Sequence, residues 1–378
     1  MKILFVTHHY LNGVGGGVFA TRGYINAFAE NCDEMHVLYP YKNGAEPEGI
    51  LAGVKLIPVT YEIPKWRKFV HLLKGKLHRF YNVFEKEIKR ISPDVVVFDN
   101  SKCSDCLIDV AHRYNAKVIT IHHNYEYEYN RDNLYGVMKQ ITLFWVKRIE
   151  GNSIRKSDLN LVLTKEDKKL LEDNYLNGKE QGNIKLIGCF EYNNNKPVLQ
   201  QADANDKRPQ FIITGNLGAV QTVESLKEWF RIYYPVLKEV LPESSLVIAG
   251  KSPTEETRSF CKENGITLYD TPKNMSPILQ KADYYICPTS LGGGLKLRIM
   301  DGLKSGLQVI THRVSARGYS VFEEAGILHS YHDEESFRKC MERTVANSFS
   351  KEQILDIYVE HFSFGTGVRK ISKLLKEI

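Results

Sequence analysis

Short apolar runs alternate with longer stretches of helical period along the chain, and that alternation predicts an α/β protein built on parallel sheets. Runs of strand character lie at 2–7 (KILFVT), 35–40 (MHVLYP), 54–59, 94–98, 117–123 (KVITIHH), 159–163 and 184–187. Helical patterns fall between them at 18–30, at 103–114 and along a stretch ending at 152–157, and Thr164 with Asp167 marks a further helix start. A second set begins at 211–214 and continues with strands at 246–249, 266–269, 284–288 and 309–311, the last that is well marked. Its helices are predicted at 222–240, after the cap-like Ser252-Pro253-Thr254-Glu255, and at 333–347, 351–362 and 367–378. Between the sets, residues 191–210 (EYNNNKPVLQQADANDKRPQ) are polar and poor in large apolar side chains. They predict a linker between two domains, 1–190 and 211–362.

Length agrees, since 378 residues exceed what one core usually holds. Hydrophobic residues make up 43% and charged residues 25%, ordinary values for a soluble protein, and no run approaches the about 18 apolar residues of a membrane span. The opening MKILFVTHHY reads as a first strand and not as a secretion signal, so a cytoplasmic location is expected. Seven scattered cysteines fit reduced thiols, and Cys103 with Cys106 is a lone C-x-x-C better explained by a helix face than by a metal. The net charge of +6 is uneven: residues 65–90 carry nine Lys or Arg against two Glu, interleaved with Trp66, Phe69, Leu73, Phe80 and Phe84 at roughly helical spacing. Two readings stay open for this segment, a basic helix lying on an anionic membrane surface and a surface helix whose apolar stripe packs on its own sheet. No nucleic-acid motif accompanies the patch, and no nucleic-acid partner is expected.

Candidate chemistry collects at strand ends. Residues 291–306, LGGGLKLRIMDGLKSG, follow the 284–288 strand and lead into a helix. Gly292, Gly293 and Gly294 let the backbone approach a ligand, and the first-turn N–H groups would face an anion. Lys296 and Arg298 oppose the helix dipole there, which costs a few tenths of a kcal/mol each unless an anion sits among them. The plainer alternative pairs Arg298 with Asp301 and leaves Lys296 solvated. Near the start, NGVGGG at 12–17 makes a Rossmann-like opening through Gly15, Gly16 and Gly17. The 35–40 strand ends without an acid for an adenosine ribose, so no NAD site is expected, and a tight turn without ligand fits the loop equally. His122 and His123 end the 117–123 strand at the edge where open α/β sheets bind ligands; a strand-end histidine that is merely hydrogen-bonded is the other reading.

In register, GGGLKLRIMDGLKSGLQVITHRVSARGY resembles the donor-nucleotide motif of retaining GT-B glycosyltransferases of family GT4, in the triple-glycine variant. The likeness runs along nearly the whole chain and is strongest over 211–319. It implies two Rossmann-like domains facing a central cleft, with the C-terminal helix, 363–378, crossing back to the first. It also implies that Asp301 holds the ribose, that Lys296 and Arg298 hold the diphosphate, and that Gly215 and Asn216 form a second phosphate-side loop. Thr271 and Pro272 would border the base through their backbone, and Gly15 to Gly17 would close over the phosphate and acceptor. His123-Asn124-Tyr125-Glu126 resembles the family's HNxE segment, which favours His123 over His122 as the contact to the donor sugar. Three departures stand out: Gly293 where the usual motif has Glu, Asp301 in place of a longer Glu, and LGAVQTVES without the Arg and Lys found there in many members. The implied activity is retaining transfer of a hexosyl group from a nucleotide diphosphate sugar, UDP-sugar first and GDP-mannose next. The acceptor would be a glycan or lipid-linked glycan in cell-surface polysaccharide synthesis, and the reaction would need no metal or cofactor. The enzyme would be cytoplasmic and peripheral on the inner face of the membrane. A noncatalytic GT-B partner and a sugar-nucleotide epimerase of the same fold are the alternatives.

Overall fold

A computed structural model describes the chain except residues 43, 45, 61–63, 137, 178–182, 196, 198 and 200–207. It contains two compact units, Met1–Asn194 with Phe362–Ile378, and Asn195–His361. Of the predicted linker, Lys196, Val198 and residues 200–207 lie outside the described residues.

The first unit holds a sheet of seven strands: β1 (Lys2–Thr7), β2 (Glu34–Pro40), β3 (Lys55–Val59), β4 (Val95–Asp99), β5 (Lys117–His122), β6 (Leu159–Val162) and β7 (Ile184–Leu186). Their order is β3-β2-β1-β4-β5-β6-β7, with every pairing parallel. β1 and β4 are buried almost throughout, as central strands covered on both faces must be, which explains their unbroken apolar sequences. Strand order reverses between β1 and β4, so the loops leaving these two strands diverge and open a crevice at the C-terminal edge. The last helix of the chain, Phe364–Leu375, belongs to this unit and starts at Ser363, whose side chain accepts from Thr366 N–H. Asn31 Nδ2 donates to Val368 O at 3.1 Å, and Gly367 faces Phe190 so closely that a Cβ there would lie 2.1 Å from the ring.

Residues 65–90 are not one helix. A helix runs over Lys65–Leu73, the chain turns at Gly75 (φ +71°), and a second helix spans Phe84–Ile91. Phe80, Phe84, Ile88 and Ile91 are buried in the core beneath β1 and β4, whereas the first helix buries no residue at all. The reading of an apolar stripe packed on its own sheet therefore holds for the second half of the segment and not for the first. The 103–114 pattern is likewise broken: Ser101–Ser104 and Leu107–Arg113 are separated at Asp105 (φ +30°), which leaves Cys103 buried and Cys106 exposed.

The second unit has six parallel strands: β8 (Gln210–Asn216), β9 (Ser245–Lys251), β10 (Thr267–Asp270), β11 (Tyr284–Cys287), β12 (Gln308–His312) and β13 (Leu328–Tyr331), in the order β10-β9-β8-β11-β12-β13. The edge strand β13, LHSY, escapes sequence reading because two of its four residues are polar. Trp229, Tyr233 and Leu237 project from the helix Val220–Val240 into a core shared with Phe337 and Met341. The helix after β9 starts at Glu255 and is capped by Thr254, which accepts from Thr257 N–H; Ser252 is not the cap. Here the order reverses between β8 and β11, and that is where the glycine loops lie.

Candidate functional site

In the second unit the loops after β8 and β11 are joined by one side chain. Gly215, next to last in β8, sits at φ +151°, and Gly250 on β9 packs so tightly against it that a Cβ on Gly250 would lie 1.9 Å from Gly215 O. The guanidinium of Arg298, the first residue of the helix Arg298–Lys304, rests on Gly215, where a Cβ would come within 2.7 Å of it. It reaches Thr214 O and Thr222 Oγ1, each at 3.4 Å, and not Asp301. Thr222 lies in the first turn of the Val220–Val240 helix, whose N-cap, Ala219, supplies no side-chain bond. A guanidinium is thus held at the positive end of a 21-residue helix by two long contacts. That placement is unfavourable by roughly 0.3–1 kcal/mol until an anion lies beside it.

The triple-glycine loop contributes the rest. Gly292 (φ +80°) and Gly294 (φ +70°) occupy the left-handed region, and Gly292 lies against Gln221 of the long helix. Lys296 precedes the short helix and does not lie in its first turn; its Nζ donates to Gly293 O at 3.1 Å, while Tyr319 OH donates to Lys296 O at 3.0 Å. Asp301 is exposed on that helix. Asn216, exposed at the end of β8, and Thr271 with Pro272 after β10 share the same sheet edge. Thr271 is held at φ +49°, with its N–H donating to Gly250 O at 2.7 Å.

In the first unit the matching edge is organised by buried charge. Asp99, the last residue of β4, is fully buried; its Oδ2 accepts from Thr7 Oγ1 and Thr21 Oγ1, each at 2.6 Å, and its Oδ1 lies 2.5 Å from His123 Nε2. Burial pushes the Asp99 carboxyl up, but the charge and hydrogen bond of His123 outweigh it and hold the group below the usual carboxylate range. Burial pushes His123 down, and Asp99 more than offsets this, so its imidazole stays charged above the ordinary histidine value. The two form an ion pair. His9 is different: burial, reinforced by His8, pushes it down to about 3 and keeps it neutral. Its ring lies on Gly17, where a Cβ would come within 2.6 Å, and 5.8 Å from the His123 ring.

Ligand atoms of His9, Asp99 and His123 lie within 4.8 Å of one another, a donor set that a transition metal can use. The Asp99–His123 separation of 2.5 Å is that of a hydrogen bond, shorter than the roughly 3.3 Å between two ligands on one tetrahedral ion. An ion would have to displace the proton between them. His122 turns away to Asn160 Oδ1 at 3.0 Å, so His123 alone of the two joins this cluster. Gly15 has open space around it, and Gly16 begins the helix Gly16–Ala29.

Beside the pair lies a second buried network. Glu126 bonds Lys102 Nζ and Asn100 Nδ2, each at 2.6 Å; burial raises its carboxyl, and Lys102 more than compensates, bringing it to about 2. Glu150 accepts from Glu126 N–H at 2.8 Å and pairs with Tyr175 OH at 2.7 Å; burial, then the Glu126 charge, raise it to about 8. Sequence reading named His123 but missed Asp99, Thr7, Thr21, His9, Lys102 and Glu150. Asp99 had a signal, since it ends a buried strand next to the switch point.

Residues 208–347 match the family model described as Glycosyl transferases group 1. No curated protein sequence gives a match to the chain. Among solved structures, the lipopolysaccharide outer core galactosyltransferase WaaB in its apo form is similar over 100% of both chains at 15% identity, with a TM-score of 0.69. The fold is GT-B. Sucrose-phosphate synthase from Thermosynechococcus elongatus is similar at 16% identity over 100% of this chain and 98% of that one, TM-score 0.69. Anabaena HepE in complex with UDP is similar at 12% identity over 100% of both chains, TM-score 0.65. At such identities the GT-B likeness concerns the fold, while the family match falls on the unit that carries the glycine loops and Arg298.

Proposed function

We propose that the chain is a retaining, metal-independent glycosyltransferase of GT4 type that takes a sugar from a nucleotide diphosphate sugar, UDP-linked in the first instance. The observation that carries this reading is Arg298, a cation held over Gly215 and against the start of a 21-residue helix at the switch point of a parallel sheet. A diphosphate would supply the missing negative charge, with Lys296 and the N–H groups of the two glycine loops as further donors. Asp301 is assigned to the ribose and the backbone at Thr271 and Pro272 to the base. His123 is assigned to the donor sugar, and Asp99 would keep it oriented and charged. Bond cleavage needs charge stabilised on the leaving phosphate, so preorganised cations carry most of the catalysis. The leaving phosphate then takes the acceptor's proton on the face from which it departs, which retains the configuration without a protein nucleophile. The acceptor is proposed to be a glycan on a lipid carrier, used at the inner face of a membrane in cell-surface polysaccharide synthesis. UDP bound to the similar HepE supports UDP as the first donor base to try.

Calorimetry with UDP, GDP and dTDP on the wild type and on Arg298→Ala tests the reading, followed by incubation with the matching nucleotide sugars. The expected outcome is binding of one diphosphate, weakened roughly a hundredfold in the variant, and slow sugar release. Absence of binding to all three would overturn it and favour a noncatalytic GT-B partner, the alternative to which Gly293 and the short Asp301 point.

A further inference from the structure

We infer that the face formed by the helices Lys65–Leu73 and Met138–Lys156 in the first unit docks on an anionic lipid bilayer. This names the surface behind the membrane-side acceptor proposed above; it rests on that reading for its purpose and not for its geometry. The helix Lys65–Leu73 has no buried residue, and it exposes Trp66 (62%), Phe69 (49%) and Leu73 (47%). Its remaining apolar side chains, Val70 and Leu72, are only half-buried. It is nonetheless anchored: Gly75 lies on Trp145 of the longer helix, where a Cβ would approach the ring to 2.5 Å. Next to Trp145, Phe144 is 60% exposed, with the two rings 5.1 Å apart. The aromatic residues therefore lie on two helices in direct contact.

Charge decides what can cover them. Residues 65–76 contain five Lys or Arg and no acid. Over 138–156 the only acid is Glu150, which is fully buried, so the outer surface of that helix presents Lys147, Arg148 and Arg155 without a counter-charge from its own length. Those three line an open groove of about 420 Å³ together with Tyr127, Tyr175 and Phe144. Planar guanidinium groups suit a lipid phosphate. Aromatic and aliphatic side chains that enter the headgroup layer, ringed by basic groups held near anionic lipid, are the two components of interfacial binding. Among the described residues no helix is long and apolar enough to cross a membrane, so attachment by this face would be peripheral.

The test is co-sedimentation of the full chain with phosphatidylcholine vesicles, with and without phosphatidylglycerol. Binding is expected only when phosphatidylglycerol is present and is expected to fall with salt. Arg67→Glu with Lys68→Glu should weaken partitioning roughly tenfold or more, and Trp66→Ser with Phe69→Ser should weaken it at every salt concentration. These side chains are exposed, so circular dichroism should stay unchanged. Equal binding to both vesicle types, binding undiminished in both variants, or no binding at all would overturn the inference. Calorimetry with UDP on the same variants separates the two readings: vesicle binding without UDP binding removes the transferase alone, and UDP binding without vesicle binding removes the docking face alone.

Discussion

The two units build their candidate sites at the same place in the sheet by opposite means. At the β1/β4 switch the first unit fills the edge with side chains that satisfy one another in the dry interior: Asp99 with His123, Thr7 and Thr21, and Glu126 with Lys102 and Asn100. At the β8/β11 switch the second unit removes side chains, and glycines at 215, 250, 292 and 294 let backbone segments and one half-buried guanidinium pack closely together. Buried ion pairs fix the position and protonation of a group before any ligand arrives. Bare backbone and an under-satisfied cation leave the completing charge to the ligand. One arrangement suits positioning a reacting group, and the other suits holding a phosphate.

The comparison breaks first if the second unit tolerates side chains at its edge. Gly250→Ala places a methyl 1.9 Å from Gly215 O, a backbone atom that cannot swing aside. We expect a loss of about 3 kcal/mol in folding stability or more, read by chemical denaturation. A neutral Gly250→Ala would mean that the backbone contact is not needed. Arg298→Ala comes next. Removing charge-assisted bonds to a diphosphate should cost about 2–3 kcal/mol of binding, with Arg298→Lys recovering only part because a point charge cannot replace the planar fork. Equal affinities for all three forms would move the anion site elsewhere.

On the first unit's side, Asp99→Asn sharpens the contrast. Asparagine can keep both threonine bonds through its oxygen, but it turns an N–H donor toward His123 Nε2 and so favours the neutral ring. The stabilisation that Asp99 gives the charged imidazole is present at low pH and lost as pH rises through the raised His123 value. The variant should therefore move the His123 titration seen by NMR to lower pH and reduce turnover roughly tenfold near neutrality, leaving nucleotide binding nearly intact. An unmoved titration would show that the pair does not set the charge of His123.

The same contrast governs what could be read without coordinates. Strands were legible because buried parallel strands are continuous apolar runs, and the glycine loops because glycine clusters mark sites of close backbone approach. The likeness carried by GGGLKLRIMDG pointed to Arg298, yet its partners, Gly215 and Thr222, lie more than seventy residues away and only the sheet order joins them. His9 and Glu150 carry no local mark, and Asp99 only its place at the end of a buried strand: what singles them out is burial among other polar side chains, a property of tertiary packing. The segment 65–90 shows the limit of periodicity, since one pattern of basic and aromatic residues covers a solvent-exposed helix and a core helix, and only Gly75 divides them.

The smallest expected effect concerns Glu150 and tests whether the first unit's edge is filled with side chains at a cost. Its carboxyl is raised from 4.5 to about 8, chiefly by burial and then by the Glu126 charge. The unfolded chain releases this proton near the ordinary glutamate value, whereas the folded chain keeps it to about 8. The folded state binds more protons across that window, so stability contributed by this group falls as pH rises through it. Glu150→Gln can still accept from Glu126 N–H and donate to Tyr175 without holding a titrating proton. Thermal melts should therefore show the variant close to wild type near pH 5 and more stable near pH 8. A parallel pair of stability curves across that range would place the charge on Glu150 in the folded protein, and the first unit would then tolerate two adjacent buried carboxylates on the strength of Lys102 alone.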